Sequence, residues 1–311
     1  MERKIDTSIF MSSNQQPAAQ ETPNTVPPQE DNIAVASAES SSEDEPVCDD
    51  VIRISHLRQI FDEGQPNEYR LFDDFNLNIP NREGKSELVS IVGGSGCGKS
   101  QILRNIAGLS HAPEGEIFIY GKKASEYGSV PMVFQTYSNY EWMTVKQNVA
   151  LPMKLRGIKD KEANEKAMEL IRLVGLEEHA DKFAKNSVLS GGQLQRVSIA
   201  RSLACDSKVI LLDEATGALD IKMKREVQNI ILKIMNSSER TILNVTHSVE
   251  EAVYLSHKVI ILLPKPCRIY KTLDIHFDGE DTNPRGPWVF GTKQFLDYTN
   301  ELTTLLGEVC L

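Results

Sequence analysis

The run Gly-Gly-Ser-Gly-Cys-Gly-Lys-Ser at residues 93–100 combines a flexible backbone, one cation and hydroxyl groups at fixed spacing. It follows a strand-like run, 87–92, and precedes a helical stretch, 101–109. A strand, a glycine turn and a helix N-terminus in this order aim consecutive N–H groups and the helix dipole at one anion. In this pattern the lysine reaches the β- and γ-phosphates of a nucleoside triphosphate, and the last hydroxyl ligates Mg²⁺. The residues expected to line this phosphate cradle are Gly93, Gly94, Ser95, Gly96, Cys97, Gly98, Lys99, Ser100 and the following Gln101.

Two adjacent carboxylates, Asp213 and Glu214, end a second apolar run at residues 208–212. Buried strands of a parallel sheet have this composition, and the carboxyl ends of such strands form the ligand-binding edge. Successive side chains of a strand point in opposite directions, so the two acids can take different tasks. We expect Asp213 to hold Mg²⁺ and Glu214 to orient and deprotonate an attacking water.

Two more polar residues, Gln135 and His247, follow predicted strands at 129–134 and 240–246. Taken alone, the glutamine is typical of a surface loop and the histidine of a structural role. Next to the carboxylate strand, however, His247 is placed to contact a γ-phosphate and Gln135 to lie at the ligand-binding edge.

The run Leu-Ser-Gly-Gly-Gln at 189–193 allows two interpretations. Ser190 and Gln193 have capping-box spacing at the start of a helix that runs to about residue 204. Alternatively, the Ser190 hydroxyl and the N–H groups of Gly191 and Gly192 form a second phosphate site at a helix N-terminus.

An aromatic residue near the end of the first predicted strand is a candidate for stacking on a purine base. Phe61 holds this position, with Tyr69 behind it. Aromatic rings stack through their faces, but an aromatic residue in a half-buried strand is more often part of the core.

The spacing of apolar residues predicts the helices and strands that position these groups. Apolar residues recur at helical spacing through 144–189, which predicts a helical subdomain, about 144–205, inserted between strands. The chain closes with a predicted strand and helix extension at about 264–311. Further strands are predicted at 51–57, 69–79, 116–120, 258–263 and 268–277, and helices after Asp220 and over 292–306.

Composition separates an N-terminal extension from this folded part. The 311 residues carry a net charge of -10, and residues 1–50 hold eleven acidic and two basic side chains. That segment is rich in Ser, Gln, Pro and Glu and is predicted to be disordered. The remaining chain is nearly neutral, which gives no indication of nucleic acid binding.

Cysteine spacing and hydropathy restrict the class of protein further. The five cysteines show no C-x-x-C pair, which indicates reduced thiols and no zinc site. No apolar run reaches the roughly 18 to 20 residues that span a bilayer. Any membrane role is therefore expected to come through a partner.

Together these residues resemble the ATP-binding cassette ATPases over essentially all of residues 51–311. The resemblance implies an α/β fold in which a P-loop NTPase core sheet carries an N-terminal antiparallel β subdomain and an inserted α-helical subdomain. It implies an ATPase that uses ATP and Mg²⁺. The motifs that carry it, in the family's order, are the cradle 93–100, Gln135, the signature 189–193, Asp213-Glu214, Ala218-Leu219-Asp220 and His247.

The family's residue roles transfer onto matching positions. Catalysis is assigned to Glu214, His247 and Gln135, and the metal to Ser100, Gln135 and Asp213. A second copy of the chain would pair head to tail, so that each nucleotide lies between Lys99 of one chain and the signature of the other. The further nucleotide contacts implied by the resemblance are Phe61, Ser190, Gly192, Gln193 and Asp220.

Three stretches, 133–136, 141–152 and 262–269, are similar to the cassettes of nitrate, sulfonate or taurine-type importers. The sequence departs from that pattern at Gln101, at Ala215-Thr216 and at Cys267. The resemblance implies integral membrane permease subunits, a separate solute-binding protein and a peripheral position on the cytoplasmic face of the inner membrane. Candidate permease contacts are Tyr137, Tyr140 and Trp142. A lipid transporter or exporter cassette, and a soluble ATP-gated clamp, are the alternatives.

Overall fold

A computed structural model describes residues 50–82, 84–237, 239–280 and 282–309. The extension predicted at residues 1–50 lies outside these residues, except Asp50, which begins the first strand. The strands are β1 (Asp50–Phe61), β2 (Tyr69–Pro80), β3 (Glu87–Gly93), β4 (Glu114–Ile119), β5 (Lys122–Lys123), β6 (Met132–Val133), β7 (Val209–Asp213), β8 (Thr241–Val245), β9 (Lys258–Leu263) and β10 (Arg268–Asp274). The α-helices are α1 (Lys99–Ile106), α2 (Ala124–Tyr127), α3 (Val145–Leu155), α4 (Asp160–Leu173), α5 (Gly191–Leu203), α6 (Ile221–Ser237), α7 (Val249–Leu255) and α8 (Lys293–Val309).

Two sheets organise the described residues. An antiparallel sheet has the order β2-β1-β4-β5, and a mostly parallel sheet has the order β10-β9-β3-β8-β7-β6. Only β10 runs antiparallel to its neighbour in the second sheet. The predicted α/β class with an N-terminal antiparallel portion is therefore confirmed.

Strand register brings the predicted chemistry to one sheet edge. Ile91 of β3 and Asp213 of β7 are both paired with Val245 of β8. The Glu214 N–H donates to the Val245 carbonyl over 2.9 Å, which extends the pairing past the end of β7. Since these strands are parallel, the cradle, the carboxylate pair and His247 all follow strand ends on the same side.

The helical segment is less continuous than the sequence predicts. Instead of one stretch over 144–189, α3 and α4 are separate helices, and residues 180–189 are not helical. Gly157 and Gly175, with φ of 84° and 66°, follow the two helices in the left-handed conformation that ends a helix. The strand predicted at 129–134 is likewise reduced to β6, two residues long.

The core lies on both faces of the parallel sheet. Alternate residues of β7 divide between the faces: Val209 and Leu211 pack toward the antiparallel sheet, and Ile210 and Leu212 pack toward the helices α3 to α6. All five residues of β7 are buried, as expected for a strand covered on both sides. A strand held in this way fixes the position of the carboxylates that follow it.

The C-terminal end packs through aromatic residues. Phe290 stacks on Tyr254 of α7 at a centroid distance of 4.5 Å, and Trp288 meets Phe277 edge-on at 6.3 Å. The final helix, predicted at 292–306, is α8. None of the described helices combines the length and apolar character needed to cross a membrane.

Candidate functional site

The turn between β3 and α1 forms a cradle that only glycine can build at two positions. Gly98 has φ of 96°, and a Cβ added there would lie 3.0 Å from the Phe72 ring. A Cβ on Gly93 would lie 2.7 Å from the Leu262 carbonyl oxygen. These close approaches let the backbone fold tightly into the start of α1. The N–H groups of that turn thereby converge at a helix N-terminus, the arrangement that binds phosphate.

Lys99 is buried beneath this turn. Its Nζ donates to the carbonyl oxygens of Gly93 and Gly94, each over 2.9 Å, and lies 3.8 Å from the Cys97 Sγ. Ser95 and Gly96, at the rim, are exposed. The cation is thus held at the floor of an open cradle, ready to exchange carbonyl partners for phosphate oxygens.

The side chain of Gln101 faces away from this role. Its Nε2 donates to the Ser110 Oγ over 2.7 Å and to the Asn105 Oδ1 over 3.1 Å. Asn105 in turn donates to Gln59. The Gln101 side chain is therefore bonded outside the cradle, and its predicted contact with nucleotide stays a prediction.

Ser100 and Asp213 form the oxygen-rich part of the site. The Ser100 hydroxyl donates to Asp213 Oδ1 over 2.7 Å. Burial raises the pKa of Asp213, while the hydrogen bond from Ser100 opposes the shift. A hydroxyl and a carboxylate at this distance fit the oxygen donors that Mg²⁺ prefers when phosphates complete its shell. The described residues contain no cluster of three or more His, Cys, Asp or Glu that could hold a metal alone.

Glu214 and His247 meet at the ends of neighbouring strands. His247 Nε2 lies 2.7 Å from Glu214 Oε1, with the glutamate side chain 22% exposed and the histidine 47% exposed. Because an ionised carboxylate only accepts, Nε2 carries the proton in this contact. Glu214 has φ of 50°, a left-handed conformation uncommon outside glycine that turns its carboxylate away from the course of β7.

Gln135 reaches the same place from β6. A Cβ built on Gly217 would lie 3.6 Å from both the Gln135 Nε2 and the Glu214 Oε2. The amide and the carboxylate therefore face each other across a glycine. Gln135 itself is exposed, which leaves its amide free to turn toward a ligand.

Phe61 and Tyr69 lie beside the cradle. The two rings stack with centroids 6.4 Å apart, and Phe61 is 44% exposed. The Tyr69 hydroxyl donates to the Gly96 carbonyl over 2.7 Å. This bond connects the aromatic pair to the cradle rim.

The signature residues of this chain do not join its own cradle. Ser190 and Gln193 form the predicted capping box, in which each side chain accepts from the other's backbone N–H. The Gln193 Nε2 also lies 2.6 Å from His179 Nε2. Gly192 is buried rather than exposed, because Met223 would lie 3.0 Å from a Cβ placed there. Within the described residues, the Ser190 and Gln193 side chains thus bond to each other's backbone N–H groups, Gln193 also contacts His179, and neither side chain bonds to residues 93–101.

Two neighbouring loops make contacts that the sequence did not predict. The Asp220 carboxylate accepts from the Met223 N–H over 3.0 Å and so caps α6. Tyr137 is half-buried, and a Cβ added at Gly191 would clash with its hydroxyl, so the Tyr137 ring lies against the signature. Sequence spacing gave no indication of that contact, because it joins two loops that are far apart in the chain.

The chain is similar in sequence and fold to known proteins. Residues 73–217 match the family described as ABC transporter. The chain is 37% identical over 258 residues to the nitrate import ATP-binding protein NrtD of Synechocystis sp., covering 82% of this chain and 94% of that protein. It is 36% identical over 260 residues to the taurine import ATP-binding protein TauB of Rhizobium johnstonii, covering 82% and 96%. A dimeric post-hydrolysis structure of the ATP-binding cassette MJ0796 bound to ADP and Pi superimposes with a TM-score of 0.61 at 28% identity, covering 73% and 99%.

Proposed function

Because this chain belongs to the ATP-binding proteins of ABC transporters and is an ATPase, we propose that it powers uptake of a small solute through a separate permease. The solute is of the nitrate, sulfonate or taurine type. The observation that carries the proposal is one sheet edge at which the Ser100–Asp213 and Glu214–His247 pairs stand beside a phosphate cradle. Residues 51–311 form the cassette in this proposal, and residues 1–50 are an extension to it.

The cradle and its metal ligands bind the nucleotide. Lys99 leaves the carbonyls of Gly93 and Gly94 to pair with the β- and γ-phosphates, and backbone N–H groups of residues 93–101 donate to the same oxygens. Ser100, Asp213 and Gln135 would hold Mg²⁺. When bound, that ion neutralises charge on the β- and γ-phosphate oxygens.

In this proposal, Glu214 and His247, which follow β7 and β8, carry out hydrolysis. Glu214 orients a water for attack and accepts its proton, since its carboxylate is partly buried and faces the cradle edge. His247 holds that carboxylate through its Nε2–H before nucleotide binds and then donates to the γ-phosphate. Gln135 completes the edge beside Glu214, so it senses whether the site is filled.

A head-to-tail dimer follows from the separation of the two phosphate-binding elements. The signature turns its capped N-terminus away from the cradle of the same chain, so a partner subunit must supply the second half. Ser190 of the partner subunit then offers its hydroxyl proton to the nucleotide, because in the capping box that hydroxyl only accepts. Asp220 and Gln193 stabilise this interface indirectly, because Asp220 caps α6 and Gln193 caps α5.

The surface proposed to receive the permease lies beside Gln135. Trp142 and Leu155 are 70% and 78% exposed, and the Tyr140 ring lies 5.3 Å from that of Trp142. A contiguous exposed apolar patch of this kind marks a protein interaction site. A cavity of about 380 Å³ opens next to it, lined on its apolar side by Pro131, Met132, Tyr140, Leu151, Pro152 and Leu155. Its position between β6 and α3 connects the permease to the Gln135 loop.

The other partners in this proposal are a separate solute-binding protein and the cytoplasmic face of the inner membrane, reached through the permease. The names of NrtD and TauB, both import ATP-binding proteins, support this assignment. Nucleic acid is not among the proposed partners, because residues 51–311 carry almost no net charge.

The test is to purify a tagged Glu214→Gln chain from detergent-solubilised membranes in ATP and identify its companions by mass spectrometry. We expect no hydrolysis, an ATP-dependent dimer and a stoichiometric polytopic permease, whose sequence narrows the solute. A matched Lys99→Ala, Glu214→Gln chain should keep the permease but lose the ATP-dependent dimer.

Two results would contradict the proposal. Hydrolysis by Glu214→Gln at the parental rate would remove Glu214 from the catalytic role. A soluble dimer without any membrane partner would favour the ATP-gated clamp.

A further inference from the structure

Glu251, in the first turn of α7, is a buried carboxylate that receives three donors on one oxygen. Only 3% of the residue is exposed. Its Oε2 accepts from the Thr216 hydroxyl over 2.5 Å and from the Thr246 hydroxyl over 3.2 Å, and it lies 3.2 Å from the Lys224 Nζ. A buried carboxylate is costly unless it is paired and fully bonded, so this site is specified by its partners.

The two hydroxyl donors come from the loops that carry the proposed catalytic residues Glu214 and His247. Thr216 lies two residues after Glu214, and Thr246 lies immediately before His247. Lys224 belongs to the first turn of α6, directly after the loop that ends at Asp220. One oxygen atom therefore joins the end of β7, the end of β8 and the start of α6.

The histidine backbone is held on both sides by this arrangement. The Thr246 hydroxyl donates to Glu251 and accepts from the Ser248 N–H over 3.1 Å. The Ser248 hydroxyl accepts from the Glu251 N–H over 3.3 Å, which caps α7. His247 lies between these two anchored residues, so its ring position depends on the hydrogen bonds around Glu251.

We propose that Glu251 is a positioning residue for hydrolysis, which acts through Thr216 and Thr246 to hold in place the two loops that carry Glu214 and His247. Among the described residues, the Glu251 side chain bonds to Thr216, Thr246 and Lys224 and not to the cradle or to the proposed metal ligands, and it is assigned no contact with substrate. This inference rests on the proposed roles of Glu214 and His247. It extends them by naming the group that holds the two loops from which Glu214 and His247 act.

The expected signature is a loss in kcat with nucleotide binding preserved. Displacing a catalytic group by about 1 Å costs on the order of 100-fold in rate, so we expect Glu251→Gln to lower kcat at least tenfold. The KM for ATP should stay within about twofold, because the residues of the cradle do not depend on Glu251. Glu250→Gln, the exposed neighbour on the same helix turn, is the matched control and should keep parental kcat.

A threonine series keeps the inference testable where loss of the buried charge weakens the fold. Thr246→Val preserves shape and removes the hydroxyl, whereas Thr246→Ser preserves the hydroxyl. We expect the valine variant to lose kcat at least fivefold and the serine variant to recover to within twofold of parental activity. Equal kcat for the two variants would overturn the inference, because the Thr246 hydroxyl would then not matter. A side chain that acted only by packing would not make the serine variant more active than the valine variant.

Coupling to His247 separates positioning from general stabilisation. If Glu251 acts partly through His247, the fall in kcat on Glu251→Gln should be smaller in a His247→Ala background, where only the part that acts through Thr216 and Glu214 remains. The same fold loss in both backgrounds, or kcat within twofold of parental for Glu251→Gln, would overturn the inference. Active Glu214→Gln would instead refute the proposed function. Inactive Glu214→Gln together with fully active Glu251→Gln would refute this inference alone.

Discussion

His257 supplies a pH-dependent stability term that can be worked out from its surroundings. It lies between α7 and β9, and its Nδ1 accepts from the Leu88 N–H of the cradle strand β3 over 3.1 Å. Burial, followed by the positive charge of Arg285, lowers the pKa of His257 from 6.5 to about 4. Glu280 acts in the opposite direction, but its carboxylate is already bonded to Arg285. Protonation of the ring would turn the Nδ1 acceptor into a donor facing another donor.

The effect of His257 on the free energy of unfolding follows from the difference between its pKa in the folded and unfolded chain. Between pH 6.5 and 4 the unfolded chain binds a proton at His257 that the folded chain excludes, so the free energy of unfolding falls as the pH falls. The loss attributable to this group is about 2 kcal/mol at pH 5 and approaches about 3 kcal/mol below pH 4. Above pH 6.5 both states are neutral at this position and the term vanishes.

The assay compares urea unfolding of the parental chain and of His257→Asn at pH 7.5, 6.5, 5.5 and 5. Asparagine keeps an acceptor for the Leu88 N–H and does not titrate. The variant should therefore gain about 2 kcal/mol relative to the parent between pH 7.5 and pH 5. His111→Asn, at an exposed histidine, is the control and should follow the parental curve. Parallel curves for the parent and His257→Asn across this range would refute the reasoning.

Two further predictions concern the cradle and the permease surface. Cys97 is fully buried, and burial raises the pKa of its thiol. Iodoacetamide should therefore label Cys97 at pH 7.5 at least tenfold more slowly in the native chain than in the chain unfolded in urea. Equal labelling rates, measured by peptide mass spectrometry, would contradict the burial of Cys97. The fraction that does label should lose ATP binding, because the thiol lies beneath the phosphate turn. Trp142→Ala should lower transport in membranes about tenfold, as an exposed aromatic anchor, while the ATPase rate of the isolated chain stays within about twofold. The matched control Leu109→Ala, 61% exposed elsewhere, should transport normally, and unchanged transport by Trp142→Ala would remove this surface from the proposed interface.

The sequence predicted correctly those elements whose structure is determined by their own residues and immediate neighbours. The cradle, β7, β9 and the capping box at Ser190 and Gln193 all lie where the sequence predicted, because strand composition, glycine turns and cap spacing act over a few residues. Helical spacing through 144–189 predicted a helical subdomain but not its division into α3 and α4, since hydrophobic period alone gave too little weight to Gly157 and Gly175 as helix ends. The nucleotide contacts across a dimer at Ser190, Gly192 and Asp220 stay predictions.

The sequence by itself determined that a phosphate cradle is followed along the chain by a carboxylate strand and a histidine strand, and that these motifs belong to one family of ATPases. Only the tertiary structure decided how their side chains meet. Glu214 and His247 touch because β7 and β8 are neighbours in register, and Glu251 reaches Thr216 and Thr246 because α7 folds back over the ends of both strands. Residues 33 and 35 positions apart in the chain become partners through sheet order, which strand composition does not encode. Sequence thus assigns the chemical groups, whereas the packing of strands and helices sets the distances at which they act.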